Sequence, residues 1–192
     1  MISRDLFVCK CATSVPRLAS GATRDVDGVR WLRGDEEHLS LLSPGEHRPH
    51  QIEELRARLR RGEHWVLGVS EGHVVSYTWL HTRSTIDFPY LPGCTFRVAA
   101  GVAYGYDAWT PSELRGRGFR RRAFLEELHV LNEMGMEWEA SFFAQHQIDG
   151  ARRSLAMVGI DIIPLWRTRL VGRTLSFERI AEADESAMPI AA

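Results

Sequence analysis

The apolar residues of the chain recur in two periods, and each change of period marks a boundary between elements. Residues 4–10, around LFVCK, read as a short strand, and VRWLR at 29–33 as another. A turn-rich connection, SVPRLASGATRDVDG, lies between them. GDEEHLSLL predicts a short helix with acidic residues in its first turn, where they complement the helix dipole. PHQIEELRARLRRGEH predicts a stronger one: Ile52, Leu55 and Leu59 return at helical spacing, and Gly62 stops it. HWVLGVS and HVVSYTWLHT are strands, and the Glu71-Gly72 pair between them predicts a tight antiparallel hairpin.

IDFPYLPGC, with two prolines, reads as a loop, and FRVAAGVAYGYDAWT as one long strand bent or bulged near Gly101 or Gly105. A helix follows over 117–134, with Phe119, Phe124, Leu128, Leu131 and Met134 on its apolar stripe. MEWEASFFAQ is a strand, and residues 149–158 form a short helix ended by Gly159. DIIPLWRTRLV and TLSFERI close the chain as a strand pair around Gly172, ahead of a small, acidic tail that is expected to fray. Hairpins and strand-helix-strand crossovers together predict an α/β fold with a mixed sheet. No internal repeat or dividing linker is visible in the 192 residues, a length that suits one domain with a small extension.

Composition narrows the function. With 44% hydrophobic and 26% charged residues the chain can bury a real core. Its formal net charge of −1 gives no global attraction to nucleic acid or to an anionic membrane, so any electrostatic role is local. No apolar run reaches the roughly 20 residues of a membrane span, and MISRDLFVCK lacks a signal-peptide core. A cytoplasmic protein is the expectation. Cys9, Cys11 and Cys94 are too few and too irregular for a disulfide scaffold. Cys9 and Cys11, two apart, share one face of a strand.

The local charge lies in DAWTPSELRGRGFRRR, Asp107 to Arg122, where two glycines and five arginines fall within Arg115–Arg122. The stretch joins a strand to a helix. The first N–H groups of a helix have no partner within it, the macrodipole adds positive potential, and glycines let an anion approach the backbone. Such a turn suits a phosphate or pyrophosphate. It is not a P-loop, because no GxxxxGK[ST] string exists, nor a dinucleotide fingerprint, because Arg121 stands at the third glycine position.

The window Arg115, Gly116, Arg117, Gly118, Phe119, Arg120 resembles motif A of the GNAT N-acetyltransferase superfamily, (Q/R)xxGx(G/A). The element order from about residue 28 to 180 is similar as well. The resemblance implies a GNAT-like domain over 28–180, with a mixed, mostly antiparallel central sheet flanked by helices. Residues 1–27 are then an N-terminal strand and connection, and 181–192 a frayed tail. It also implies that the turn amides hold the pyrophosphate of acetyl-CoA, or another acyl-CoA, as co-substrate. Backbone N–H groups near Trp109 and Thr110 would then polarise the thioester carbonyl. Two departures stand out. Arg120 occupies the position of a small residue. Leu155 and Ile148 stand where the family often carries a general-acid tyrosine and an asparagine.

The implied reaction is direct attack by an amine in a ternary complex, the acceptor being a small molecule or a protein. Candidate bases are Asp107 before the turn, Glu139 on the next strand and His146 just beyond it. Each also has an ordinary reading: a hydrogen bond near a strand end, a solvent-facing strand position, a loop histidine. A non-catalytic module that binds CoA or another ligand is the alternative, and a homodimer is possible. His47 and His50 of HRPH lack further ligands nearby, so no metal site is expected.

Overall fold

The computed structural model describes residues 3–13, 25–26, 28–42, 49–87, 95–171, 174–180 and 187–189. It confirms an α/β chain built on a mixed, mostly antiparallel sheet flanked by helices. The residues gather into two compact units, one of 16–81 with 105–130 and one of 1–15, 82–104 and 131–192.

In the first unit, β2 (Asp25–Val26), β3 (Val29–Gly34), β4 (His64–Ser70) and β5 (His73–His81) lie side by side in the order β5-β4-β3-β2. Glu71 and Gly72, both with positive φ, make the predicted hairpin turn between β4 and β5. Cross-strand pairing sets Trp65 opposite Trp79 and Leu67 opposite Tyr77. These side chains bury one face of the sheet against Leu39 and Leu42, of and beside a short 3-10 helix (Glu37–Leu41), and Leu55 of α1 (Pro49–Arg60). Ile52 and Leu59 pack at the edge of this cluster, as their helical spacing requires.

The other face packs Val29, Trp31 and Val75 against Ala123 of α2 (Phe119–Glu133). Gly68 makes this possible, because a Cβ there would sit 2.9 Å from the Trp31 ring. Trp31, Trp65 and Trp79 are all fully buried. At about 1.5–3 kcal/mol for a large apolar side chain, they anchor the unit.

The second unit carries the strand order β11-β10-β1-β9, from β1 (Ser3–Ala12), β9 (Trp138–Ala144), β10 (Ile163–Val171) and β11 (Thr174–Arg179). The strand that the sequence set apart within residues 1–27 therefore lies inside a sheet. β1 pairs antiparallel with β9 on one side and β10 on the other. A second, three-stranded sheet holds β6 (Thr85–Asp87), β7 (Thr95–Val98) and β12 (Ala187–Pro189). Phe96 fills its base, edge-on to Phe142 and Phe177 at centroid distances of 5.2 and 5.6 Å.

Four expectations change. The single long strand at 96–110 is two strands, β7 and β8 (Val102–Trp109), because Gly101 turns the chain at φ 77°. Ile86 and Asp87, at the start of the expected loop, belong to β6 (Thr85–Asp87), while 88–94, with Cys94, lie outside the described residues. The tail is not frayed at 187–189, where Ala187, Met188 and Pro189 pair with β7. The last helix, α3 (Gln145–Ala156), starts four residues earlier than its apolar pattern suggests. Gln147 explains this, since its side-chain oxygen accepts the Ala144 N–H and so satisfies a donor at the helix start. Gly172 and His47 also lie outside the described residues.

Candidate functional site

Strand β8 ends in the stretch that the sequence singles out. Asp107 interrupts its extended backbone at φ 47°, a left-handed conformation that Asp tolerates better than most side chains. In a regular strand residues two apart share a face. Here Tyr106 and Trp109, three apart, both pack on the cluster formed with α1, while Asp107 and Ala108 are exposed. The irregularity at Asp107 shifts the alternation by one, the effect of a bulge. Trp109 then stacks on Tyr77 with centroids 5.2 Å apart.

The strand end is fixed by polar contacts. Ser76 Oγ donates to the Trp109 carbonyl at 3.0 Å and lies 2.9 Å from Thr110 Oγ1. Arg115 Nε donates to the Thr110 carbonyl at 3.2 Å, closing the loop that holds a single 3-10 turn, Ser112–Leu114. Leu114 before the glycines and Phe119 after them pack on the Val29, Trp31, Val75 and Ala123 cluster. Between these two anchors, Arg115, Gly116, Arg117 and Gly118 are all exposed.

The glycines adopt φ 79° and 86°, which side chains rarely reach without strain. A Cβ on Gly116 would meet nothing within 4 Å. One on Gly118 would meet only Arg121 Nη2, at 3.8 Å. The first helical hydrogen bond runs from the Arg122 N–H to the Gly118 carbonyl, so the amides ahead of it have no acceptor within the helix. Open space, outward amides and a helix start fit a pyrophosphate. The arginines divide differently from their order in the sequence. Arg120 lies over the Phe124 ring and points down the helix, 3.7 Å from the fully buried carboxylate of Glu127. Arg122 pairs with Glu126 at 2.6 Å. Arg121 is the one whose guanidinium lies beside the glycine turn.

The three candidate bases fall in different settings. Asp107 Oδ2 accepts from Arg58 Nη1 at 2.5 Å. Glu139 is not a solvent-facing position: it is 1% exposed on β9, accepts from the Ser141 hydroxyl, and lies 3.7 Å from the Cys11 thiol. His146 is exposed in the first turn of α3, and Leu155 of that helix is buried. Burial pushes the Cys9 thiol up to about 12, with Arg152 a smaller opposing influence, so it is no nucleophile near neutrality.

Sequence reasoning missed a set of side chains beside Asp107. The Arg58 guanidinium stands 5.1 Å from the centroid of the Tyr106 ring and 5.3 Å from that of Trp79. The Tyr106 hydroxyl donates to Glu63 Oε2, and Arg61 Nε donates to Glu63 Oε1 at 2.9 Å. Glu63 lies between the end of α1 and β4, where it reads as an ordinary loop acid. Only the pairing that brings β8 to this place reveals its partner. A cleft of about 310 Å³ lies beside it, lined by Arg33, Asp35, Leu59 and His64 among others. No cluster of metal-ligating residues occurs among the described residues. No described helix is long and apolar enough to cross a membrane.

No family model matches the chain, and no curated protein does. Solved structures do match. A GNAT-family protein from Novosphingobium aromaticivorans is 15% identical, with 94% of this chain and 67% of that chain covered and a TM-score of 0.50. A GCN5-related N-acetyltransferase from Sphaerobacter thermophilus is 17% identical over 93% of this chain, with a TM-score of 0.51. The glucosamine N-acetyltransferase region of a fungal multi-domain β-N-acetylglucosaminidase is 13% identical over 91%, with a TM-score of 0.56. The match spans 52% and 21% of those last two chains. The chain has the GNAT fold.

Proposed function

We propose that the protein is an acyl-CoA-dependent N-acyltransferase that moves an acetyl group from acetyl-CoA to an amine within a ternary complex. The observation that carries this reading is the glycine turn: Gly116 and Gly118 stand open at positive φ, between two half-buried apolar anchors, at the start of α2. The amides of Gly116 to Arg120 would hold the pyrophosphate, with Arg121 supplying charge. The backbone near Trp109 and Thr110 would face the thioester, and N–H groups there would stabilise charge developing on its oxygen. Strand β8 itself, VAYGYDAW, carries no cysteine or serine to form an acyl-enzyme, which suits direct attack.

Calorimetric titration with CoA and acetyl-CoA tests the reading. Gly118→Val fills the approach and strains the backbone, so it should weaken binding by about tenfold or more, a loss of ~1.4 kcal/mol. Unchanged affinity in that variant, or no binding by the wild type, would sink the proposal. Thiol release from acetyl-CoA across a panel of small amines and amine-bearing peptides then tests transfer.

One observation favours a second reading, a CoA-binding module without turnover. Leu155 stands where the resemblance puts a proton-donating tyrosine, and its side chain is buried. Tight CoA binding with no thiol release across the panel would select the module.

A further inference from the structure

An amine that attacks a thioester must give up a proton, and the acid groups around the end of β8 differ in how they could take it. Asp107 Oδ2 faces Arg58, whose guanidinium does not deprotonate in proteins and so cannot pass a proton on. Glu63 Oε2 faces the Tyr106 hydroxyl, a group that donates and accepts at once. The Glu63 side chain is only 4% exposed, and the half-buried Tyr106 that bonds it packs on the same cluster as Trp109, at the strand end proposed to meet the thioester. Arg61 is prepared for the charge change. It bonds Glu63 through Nε and Glu54 through Nη2, at 2.9 and 3.2 Å, so it keeps a carboxylate partner when Glu63 becomes neutral.

We infer that Tyr106 and Glu63 form a two-step proton relay that serves as the general base for the acceptor amine. The inference rests on the transferase reading above. As the lone pair of the neutral amine forms the N–C bond, the C–S bonding pair leaves on the CoA sulfur, which takes a proton from solvent. The amine N–H proton passes to Tyr106 Oη while the phenol proton passes to Glu63 Oε2. Tyr106 ends neutral, and Glu63 ends protonated and later returns its proton to solvent. Tyr106 is the catalytic residue, since it meets the substrate. Glu63 acts through it. The shift of alternation at Asp107 is what allows the arrangement, because it brings Tyr106 to the same face as Trp109.

The test uses the full chain, the best amine from the panel, and the variants Tyr106→Phe, Glu63→Gln and Asp107→Asn. A positioned base contributes at least about a hundredfold, so Tyr106→Phe and Glu63→Gln should each lower kcat by ~100-fold. Both should leave the CoA Kd within about twofold, since neither contacts the glycine turn. The pH profile of kcat should change shape in Glu63→Gln and keep its wild-type shape in Asp107→Asn. NMR of the Tyr106 ring supplies a readout independent of turnover: its signals should titrate with the Glu63 carboxyl and cease to do so in Glu63→Gln. A ring insensitive to that carboxyl overturns the relay whatever the activity, as does an active enzyme whose two variants keep the wild-type pH profile. A wild type that binds CoA but turns over no amine overturns the transferase reading, and the relay with it.

Discussion

Arg120 and Arg121 are adjacent in sequence and have different work in the structure. The Arg120 side chain runs down α2 to the buried Glu127, leaving the glycine face to Arg121. Arg121→Ala should therefore weaken CoA binding several-fold in calorimetry, in line with the loss of one charge-assisted contact of about 1 kcal/mol. Arg120→Ala should leave that affinity within twofold and instead lower stability by ~1 kcal/mol, read from urea unfolding, because it removes a cation from beside a buried carboxylate. A small residue at position 120 is not needed to admit the ligand when the long side chain there points elsewhere.

His64, at the start of β4, carries a pH dependence of its own. Burial lowers its pKa below the ordinary 6.5, and the Arg33 guanidinium, 2.5 Å from Nδ1, lowers it further. The unfolded chain therefore binds this proton more readily than the folded one. The stability that neutral His64 contributes is complete above about pH 6.5 and is lost as pH falls through its lower folded value. Melting curves between pH 7.5 and 5.5 should show a falling Tm, and His64→Gln should flatten that fall.

At the scale of the element, the decisive feature is the bent end of β8. Three things depend on one residue with φ 47°: the face shared by Tyr106 and Trp109, the exposure of Asp107, and the ion pair with Arg58. Two substitutions separate the backbone from the charge. Asp107→Asn loses the ion pair and keeps a side chain that tolerates the left-handed region. Asp107→Val loses both, and should be less stable than Asp107→Asn by about 1–2 kcal/mol in urea titrations. Equal stabilities would mean that the backbone relaxes at this point. The glycine turn works by the same logic: hydrophobic anchors at Leu114 and Phe119 fix its ends, so the bare backbone between them needs no side-chain contacts to hold its shape.

At the scale of the molecule, β1 is the least expected part. A segment that reads as an addition before a 28–180 domain supplies a strand paired on both sides, with Leu6 opposite both Ala144 and Thr168. The Thr168 hydroxyl also donates to the Leu6 carbonyl at 3.1 Å. Deleting residues 1–13 should leave β9 and β10 with unpaired edges and bury no replacement for Leu6, Cys9 and Cys11. Soluble yield should fall sharply and thermal unfolding should lose cooperativity. A truncated chain with an unchanged melting curve would mean that β1 is dispensable.

The sequence by itself determined the elements whose signal is local. Period and punctuation located α1, the β4–β5 hairpin and α2, and the pair Gly116 and Gly118 marked the exposed turn ahead of α2, because backbone conformation there depends on the residue itself. Tertiary structure alone decided what depends on register and approach. It divided the long strand at Gly101, gave β7 a partner in the chain's tail, and placed β1 between β9 and β10. Each of these is a pairing between segments far apart in sequence, and backbone hydrogen bonds carry no signature of their partner in the side-chain pattern. The same limit hid Glu63. A glutamate between a helix and a strand reads as solvated until a strand more than forty residues away brings a phenol to it.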